Sequence, residues 1–123
     1  MPPKKRRNVV TPAAPTEPEI IMEEEYVPQE NVVVEEPKKT NPYLSVYEYT
    51  ALIHARTLQL SSPEGVPMMD LAILPESQRY DPLIIATYEV RQYLPRFVVR
   101  RKLPNGDVED WFLTDKELRF PRV

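Results

Sequence analysis

Asp81-Pro82-Leu83-Ile84-Ile85-Ala86, followed by Leu94-Pro95 and then Arg100-Arg101-Lys102-Leu103-Pro104-Asn105-Gly106-Asp107-Val108-Glu109-Asp110-Trp111, decides the fold. Asp81 fits an N-cap and Pro82 the first helical position, where a missing amide costs nothing. The apolar residues that follow predict a helix to about Gln92, stopped by Pro95. Asn105-Gly106 between two apolar-alternating runs is a strong signal for a two-residue hairpin turn. With those two residues as the loop, Leu103 pairs with Val108, Lys102 with Glu109, Arg101 with Asp110, Arg100 with Trp111, Val99 with Phe112 and Val98 with Leu113. Every pair is then apolar, opposite-charge or cation–aromatic, a set that a one-residue slip would spoil. Pro104 at the edge of the turn is the one residue that sits badly in this register, and it leaves open a loop widened to four residues.

Upstream, Ser45-x-x-Glu48 reads as a capping box, with Leu44 and Tyr49 as a hydrophobic staple. It predicts a helix over roughly residues 46–60, bounded by Pro42 and Pro63. Val46, Tyr49, Leu52, Ile53 and Leu60 fall on one face, and Tyr47, Ala51, His54 and Leu58 on the opposite one. Two apolar stripes fit either a helix held between its own domain and a partner, or a central core helix. Arg56 lies within the first stripe beside Gln59. It needs a carboxylate or several carbonyls, unless its stem follows the stripe out to water. On the second helix Leu83, Ala86, Val90 and Leu94 make the expected stripe, with Ile84, Ile85 and Tyr88 pointing elsewhere. The connector of residues 61–80 contains Met68–Leu74, which reads equally as a short strand or a covering loop. Thr114-Asp115-Lys116-Glu117 repeats the capping-box pattern and suggests one final helical turn.

Seven of the fifteen prolines precede residue 40, and residues 1–40 carry no periodic apolar pattern. This segment is read as a disordered Pro/Glu-rich tail. It opens on a basic block, Lys4-Lys5-Arg6-Arg7, which fits either a nuclear-import signal or an ordinary solvated tail. An acidic run from Glu17 to Glu36 follows, in which Val32-Val33-Val34 could join a sheet edge. Residues 41–123 are read as the folded domain, with 10 Lys+Arg against 11 Asp+Glu, a formal net of −1. That balance argues against nucleic acid as the main ligand. With no cysteine and one histidine the chain lacks a thiolate or zinc ligand set. No apolar run approaches a membrane span, and no apolar segment follows the basic start as in a secretory signal, so an intracellular, soluble protein is expected. A Gly-rich phosphate loop and a catalytic constellation are both missing, so neither cofactor, metal nor enzyme activity is expected.

In this order and spacing the motifs resemble the small assembly subunit of multisubunit DNA-dependent RNA polymerases: omega in bacteria, subunit K in archaea, the common sixth subunit in eukaryotes. The resemblance spans about residues 42–113. It rests on Ser45, Glu48, Arg56 and Gln59, then Gly65 and Pro67, Asp81 to Ala86 with Glu89, Pro95, Arg100-Arg101, Leu103 to Gly106, Glu109 and Trp111. Thr57 and the long stretch Leu71–Tyr80 depart from the family pattern and suggest a diverged lineage, such as that of a large DNA virus. The resemblance implies an α+β domain of two main helices plus a C-terminal β-hairpin. It implies a non-catalytic subunit that clamps the C-terminal region of the largest subunit and supports assembly, touching nucleic acid only through the complex. Expected partner-facing residues are Arg56, Gln59, Leu60, Pro82, Leu83, Arg100 and Trp111. The expected location is the nucleus for a eukaryotic chain, and a viral factory or virion for a viral one. The competing readings are a small nucleic-acid binder and a nuclear adaptor with an acidic tail.

Overall fold

The computed structural model describes residues 18–29, 32 and 40–121. Lys4–Arg7, Val33 and Val34 lie outside the described residues. In chain order the elements are β1 (Glu19–Met22), α1 (Val46–Ser61), α2 (Pro82–Arg91), β2 (Phe97–Lys102) and β3 (Val108–Phe112), with single 3-10 turns between and after them. The fold is α+β, as the sequence implies, with the three strands forming one antiparallel sheet in the order β1-β2-β3.

Both helices begin where their caps place them. Ser45 Oγ accepts from the Glu48 amide at 3.0 Å, and Glu48 Oε1 accepts from the Ser45 amide at 2.9 Å. Asp81 Oδ1 accepts from the Leu83 amide at 3.0 Å, with Pro82 at the first helical position. Such caps are each worth about 1 kcal/mol. The end of α2 turns on Tyr93, whose φ of 59° is left-handed. The Leu94 amide donates to Glu89 O and the Tyr93 amide to Val90 O, the two bonds of a Schellman motif. A tyrosine at this glycine-favouring position is held by its hydroxyl, which donates to Leu118 O at 2.7 Å, and by stacking on Phe120.

The hairpin differs from its expected register by one residue. Val98 pairs with Phe112, Val99 with Trp111, Arg100 with Asp110, Arg101 with Glu109 and Lys102 with Val108. Pro104 is the physical reason. A two-residue loop would require the residue 104 amide to close the ladder, and proline has none. Instead the Leu103 amide donates to Asp107 O at 2.8 Å and the Gly106 amide to Leu103 O at 3.0 Å. The loop is Pro104-Asn105-Gly106, ending on the left-handed glycine (φ 91°) that three-residue loops favour.

The second departure is β1. Residues 19–22 fall in the stretch read as disordered, yet they pair with β2, Glu19 opposite Arg100 through Met22 opposite Phe97. Val32, part of the expected edge-joining triplet, makes a parallel bridge to Val108. The run Glu19-Ile20-Ile21-Met22 is too short, and too lacking in polar–apolar alternation, to stand out from a Pro/Glu-rich background.

One core cluster joins α1, α2 and the sheet through Leu44, Leu52, Val90, Phe97, Val99, Trp111, Leu113 and Leu118. A second lies under the connector and contains Met69, Leu74 and Ile85. The Met68–Leu74 segment is therefore a covering loop, not a strand. Its turn is fixed by Arg79, whose Nε donates to Leu71 O and Leu74 O. Gly65 lets the connector leave α1 closely: a Cβ there would meet Gln59 O at 2.1 Å. The final turn is a 3-10 turn at Leu113–Asp115, which ends on the left-handed Lys116 instead of starting from a Thr114 cap as expected.

Helix faces are only partly as expected. On α1 the buried positions are Leu52 and Arg56, while Val46 is 61% and Tyr47 67% exposed, and Leu58 is exposed as well. That outer face excludes the central-core-helix alternative. On α2 the buried face is Ile85, Ala86, Glu89 and Val90, and Leu83 is 54% exposed. The expected stripe is rotated because Glu89 must point inward, for a reason given by Arg56.

Candidate partner interface

Arg56 lies in the apolar stripe of α1 and finds all its acceptors inside the chain. Its Nε donates to Glu89 Oε1 at 2.5 Å, Nη1 to Gln59 Oε1 at 2.9 Å and Nη2 to Val66 O at 2.8 Å. Glu89 is 0% exposed and its second oxygen accepts from the Met68 amide at 2.7 Å. One ion pair thus fastens α1, α2 and the connector at a single point. An unpaired charge here would be prohibitive, whereas a fully bonded pair is tolerated and geometrically specific. The sequence carries a signal for Glu89, since Arg56 demands a carboxylate and Glu89 lies among apolar residues of α2. A cavity of about 450 Å³ opens above this pair, lined by Met22, Glu24, Gln59, Glu64 and Arg96 among others.

Two further arginines are fixed in the sheet. Arg100 forks onto Asp110, Nε to Oδ1 at 2.8 Å and Nη2 to Oδ2 at 2.9 Å. That pairing raises the Arg100 pKa against the lowering effect of burial. Tyr26 Oη donates to the same carboxylate at 2.6 Å. Burial, and then the Asp110 carboxylate, push the tyrosine's pKa up. Arg101, on the other face, reaches α1: Nε and Nη2 donate to the two oxygens of Glu48, each at 2.9 Å. It also donates to Asn41 O and Tyr43 O, and lies 5.2 Å over the Trp111 ring. Burial pushes the Glu48 carboxyl up, but the Arg101 fork and the Ser45 amide outweigh this and leave it below its ordinary value. Trp111 Nε1 and the Thr40 hydroxyl converge on Glu109, which is fully buried.

The expected partner-facing set therefore divides. Arg56, Arg100 and Trp111 are buried, and bonded within the chain. Gln59, Leu60 and Pro82 are half-buried, and Leu83 is exposed. The structure also exposes Val46, Tyr47, Leu58, Ile73 and Tyr80, which that set leaves out. Among the described residues no group of three or more His, Cys, Asp or Glu is arranged to hold a metal, and no helix is long and apolar enough to cross a membrane.

A small α+β domain with charges paired internally and apolar side chains left on its outer helix surfaces is the class that this geometry defines. No family model matches the chain. It is 36% identical over 83 residues to the RPABC2 subunit of DNA-directed RNA polymerases I, II and III of Schizosaccharomyces pombe, covering 68% of this chain and 54% of that protein. It is 34% identical over 83 residues to the RPABC2 subunit of Saccharomyces cerevisiae, covering 68% and 50%. Against the Dictyostelium discoideum subunit of the same description the identity is 39% over 75 residues, covering 60% and 51%. The chain is thus a homologue, at about 35% identity, of shared RNA polymerase subunits. It spans about half the length of the curated relatives it matches.

Proposed function

We propose that the protein is a non-catalytic subunit of a DNA-dependent RNA polymerase, which clamps the C-terminal region of the largest subunit and supports assembly and stability of the enzyme. The similarity to shared polymerase subunits over 68% of the chain carries this reading. The exposed apolar positions on α1 and α2 support it, since a small domain gains from burying them on a partner. Within the expected set, Leu83 makes direct contact, Gln59, Leu60 and Pro82 border it, Arg56 supports that surface by fastening α1 to α2, and Arg100 and Trp111 serve as internal supports of the sheet. Nucleic acid is met only through the complex, because Arg100 and Arg101 already face Asp110 and Glu48. The protein acts in the nucleus of a eukaryotic cell, or in a viral factory or virion if its source is viral.

Co-expression with the C-terminal part of the largest subunit tests the reading. The two chains should co-purify, and Leu83→Asp should weaken capture without moving the unfolding midpoint of the free protein. A folded monomer that ignores that partner, yet binds duplex DNA with a steep salt dependence, would instead favour the nucleic-acid reading.

A further inference from the structure

The edge of β2 away from β3 would be bare but for β1. Leu103 and Asp107 form a hydrogen-bonded pair, so alternation gives the odd-numbered amides of β2 to β3. The even-numbered amides, of Val98 and Arg100, then face β1 across the pairs Ile21–Val98 and Glu19–Arg100. The Glu23 amide donating to Arg96 O at 2.9 Å follows the same alternation.

The two sides of this seam are unequal. Phe97, Val98, Val99 and Arg100 are all buried, whereas Glu19 is exposed and Ile20, Ile21 and Met22 are only half-buried. A buried acceptor thus holds a half-buried strand of four residues. What the acceptor reads is also legible. Ile20 and Met22 pack on the main core cluster, and Glu19 stands opposite Arg100, whose charge it supports. Beyond the strand, Tyr26 bonds Asp110, its ring meets Phe112 edge-on at 5.1 Å, and Arg100 Nη2 donates to Val27 O. By register these contacts lie on the face away from the core cluster, so they can keep a displaced β1 tethered.

We propose that the β2 edge is a strand-acceptor site, held in the free protein by Glu19–Met22 and open to an extended segment of an assembly partner. That segment presents apolar side chains at alternate positions and a carboxylate opposite Arg100. Main-chain bonds supply its affinity and the alternate side chains its selectivity. An unpaired edge would otherwise invite indiscriminate pairing, which a self-supplied strand prevents. That this segment belongs to an assembly partner rests on the proposed function; the strand-acceptor character of the edge does not.

Amide hydrogen exchange on the full chain tests it. In wild type the Val98 and Arg100 amides should be protected. Ile21→Pro removes a ladder donor and should speed exchange at those two amides at least about tenfold, leaving Val99 and Arg101 unchanged. An excess of a synthetic peptide of residues 18–29 should restore the protection, and its Glu19→Lys version should restore less. Rapid exchange of Val98 and Arg100 in wild type, or no response to the peptide, overturns the proposal. So does uniform loss of protection across the sheet, which would make β1 part of an indivisible core. Protection restored by raising the variant's own concentration, with a dimer by light scattering, would assign the edge to a second copy instead.

Discussion

At the scale of single residues, Arg56 and Glu89 govern more than any surface group. Truncating Arg56 to Ala strands a fully buried carboxylate, so the urea midpoint should fall by the equivalent of about 3–5 kcal/mol. The Arg56→Met, Glu89→Leu double variant should recover much of that loss, because a well-packed apolar pair can replace a buried ion pair. A midpoint within error of wild type for Arg56→Ala would show that water reaches Glu89. Gly65 makes a different demand, for space rather than charge. Gly65→Ala drives a methyl group into Gln59 O and should cost about 1–3 kcal/mol, measured by thermal unfolding.

Among elements, the hairpin is the clearest case of a sequence signal read correctly in kind and wrongly in phase. Asn105-Gly106 announces the turn, but Pro104 lengthens the loop and moves every pair by one. A thermodynamic cycle should therefore find coupling between Arg100 and Asp110, and between Arg101 and Glu48, of about 0.5–3 kcal/mol. Arg101 and Asp110, which sit on opposite faces, should couple weakly. Glu48 adds a pH signature. Its folded pKa lies below the ordinary 4.5, so its contribution is complete above that value and fades as pH falls through the folded pKa. Glu48→Gln should lower stability at neutral pH and flatten the acid limb of the stability profile. Caps and helix starts were legible because they depend on neighbours in sequence. The buried face of α2 was not, because Glu89 turns inward to meet a charge 33 residues away.

For the molecule as a whole, the boundary placed at residue 41 cuts through the sheet. The acidic composition of the preceding stretch hides a strand whose stability comes from an acceptor on the far side of the chain. Removing residues 1–39 should lower the melting temperature, since Ile20 and Met22 leave the core cluster and the edge of β2 is bared. An unchanged melting temperature would return that stretch to the status of a solvated tail. The expected contact surface was only partly legible for a related reason. Sequence identifies Arg56, Arg100 and Trp111 as special, but not whether the demand on each is met from inside or outside the chain.

Trp111 is the only tryptophan in the protein. Its indole lies under the Arg101 guanidinium, with Nε1–H directed at Glu109 and the Thr40 hydroxyl. It stands where strand, helix N-terminus and incoming chain meet. Shielded from water, it should emit at shorter wavelength than free tryptophan, under the influence of one cation and one carboxylate. Any event that parts the sheet from the start of α1 should therefore change the protein's own fluorescence, giving an optical readout of that joint that needs no label.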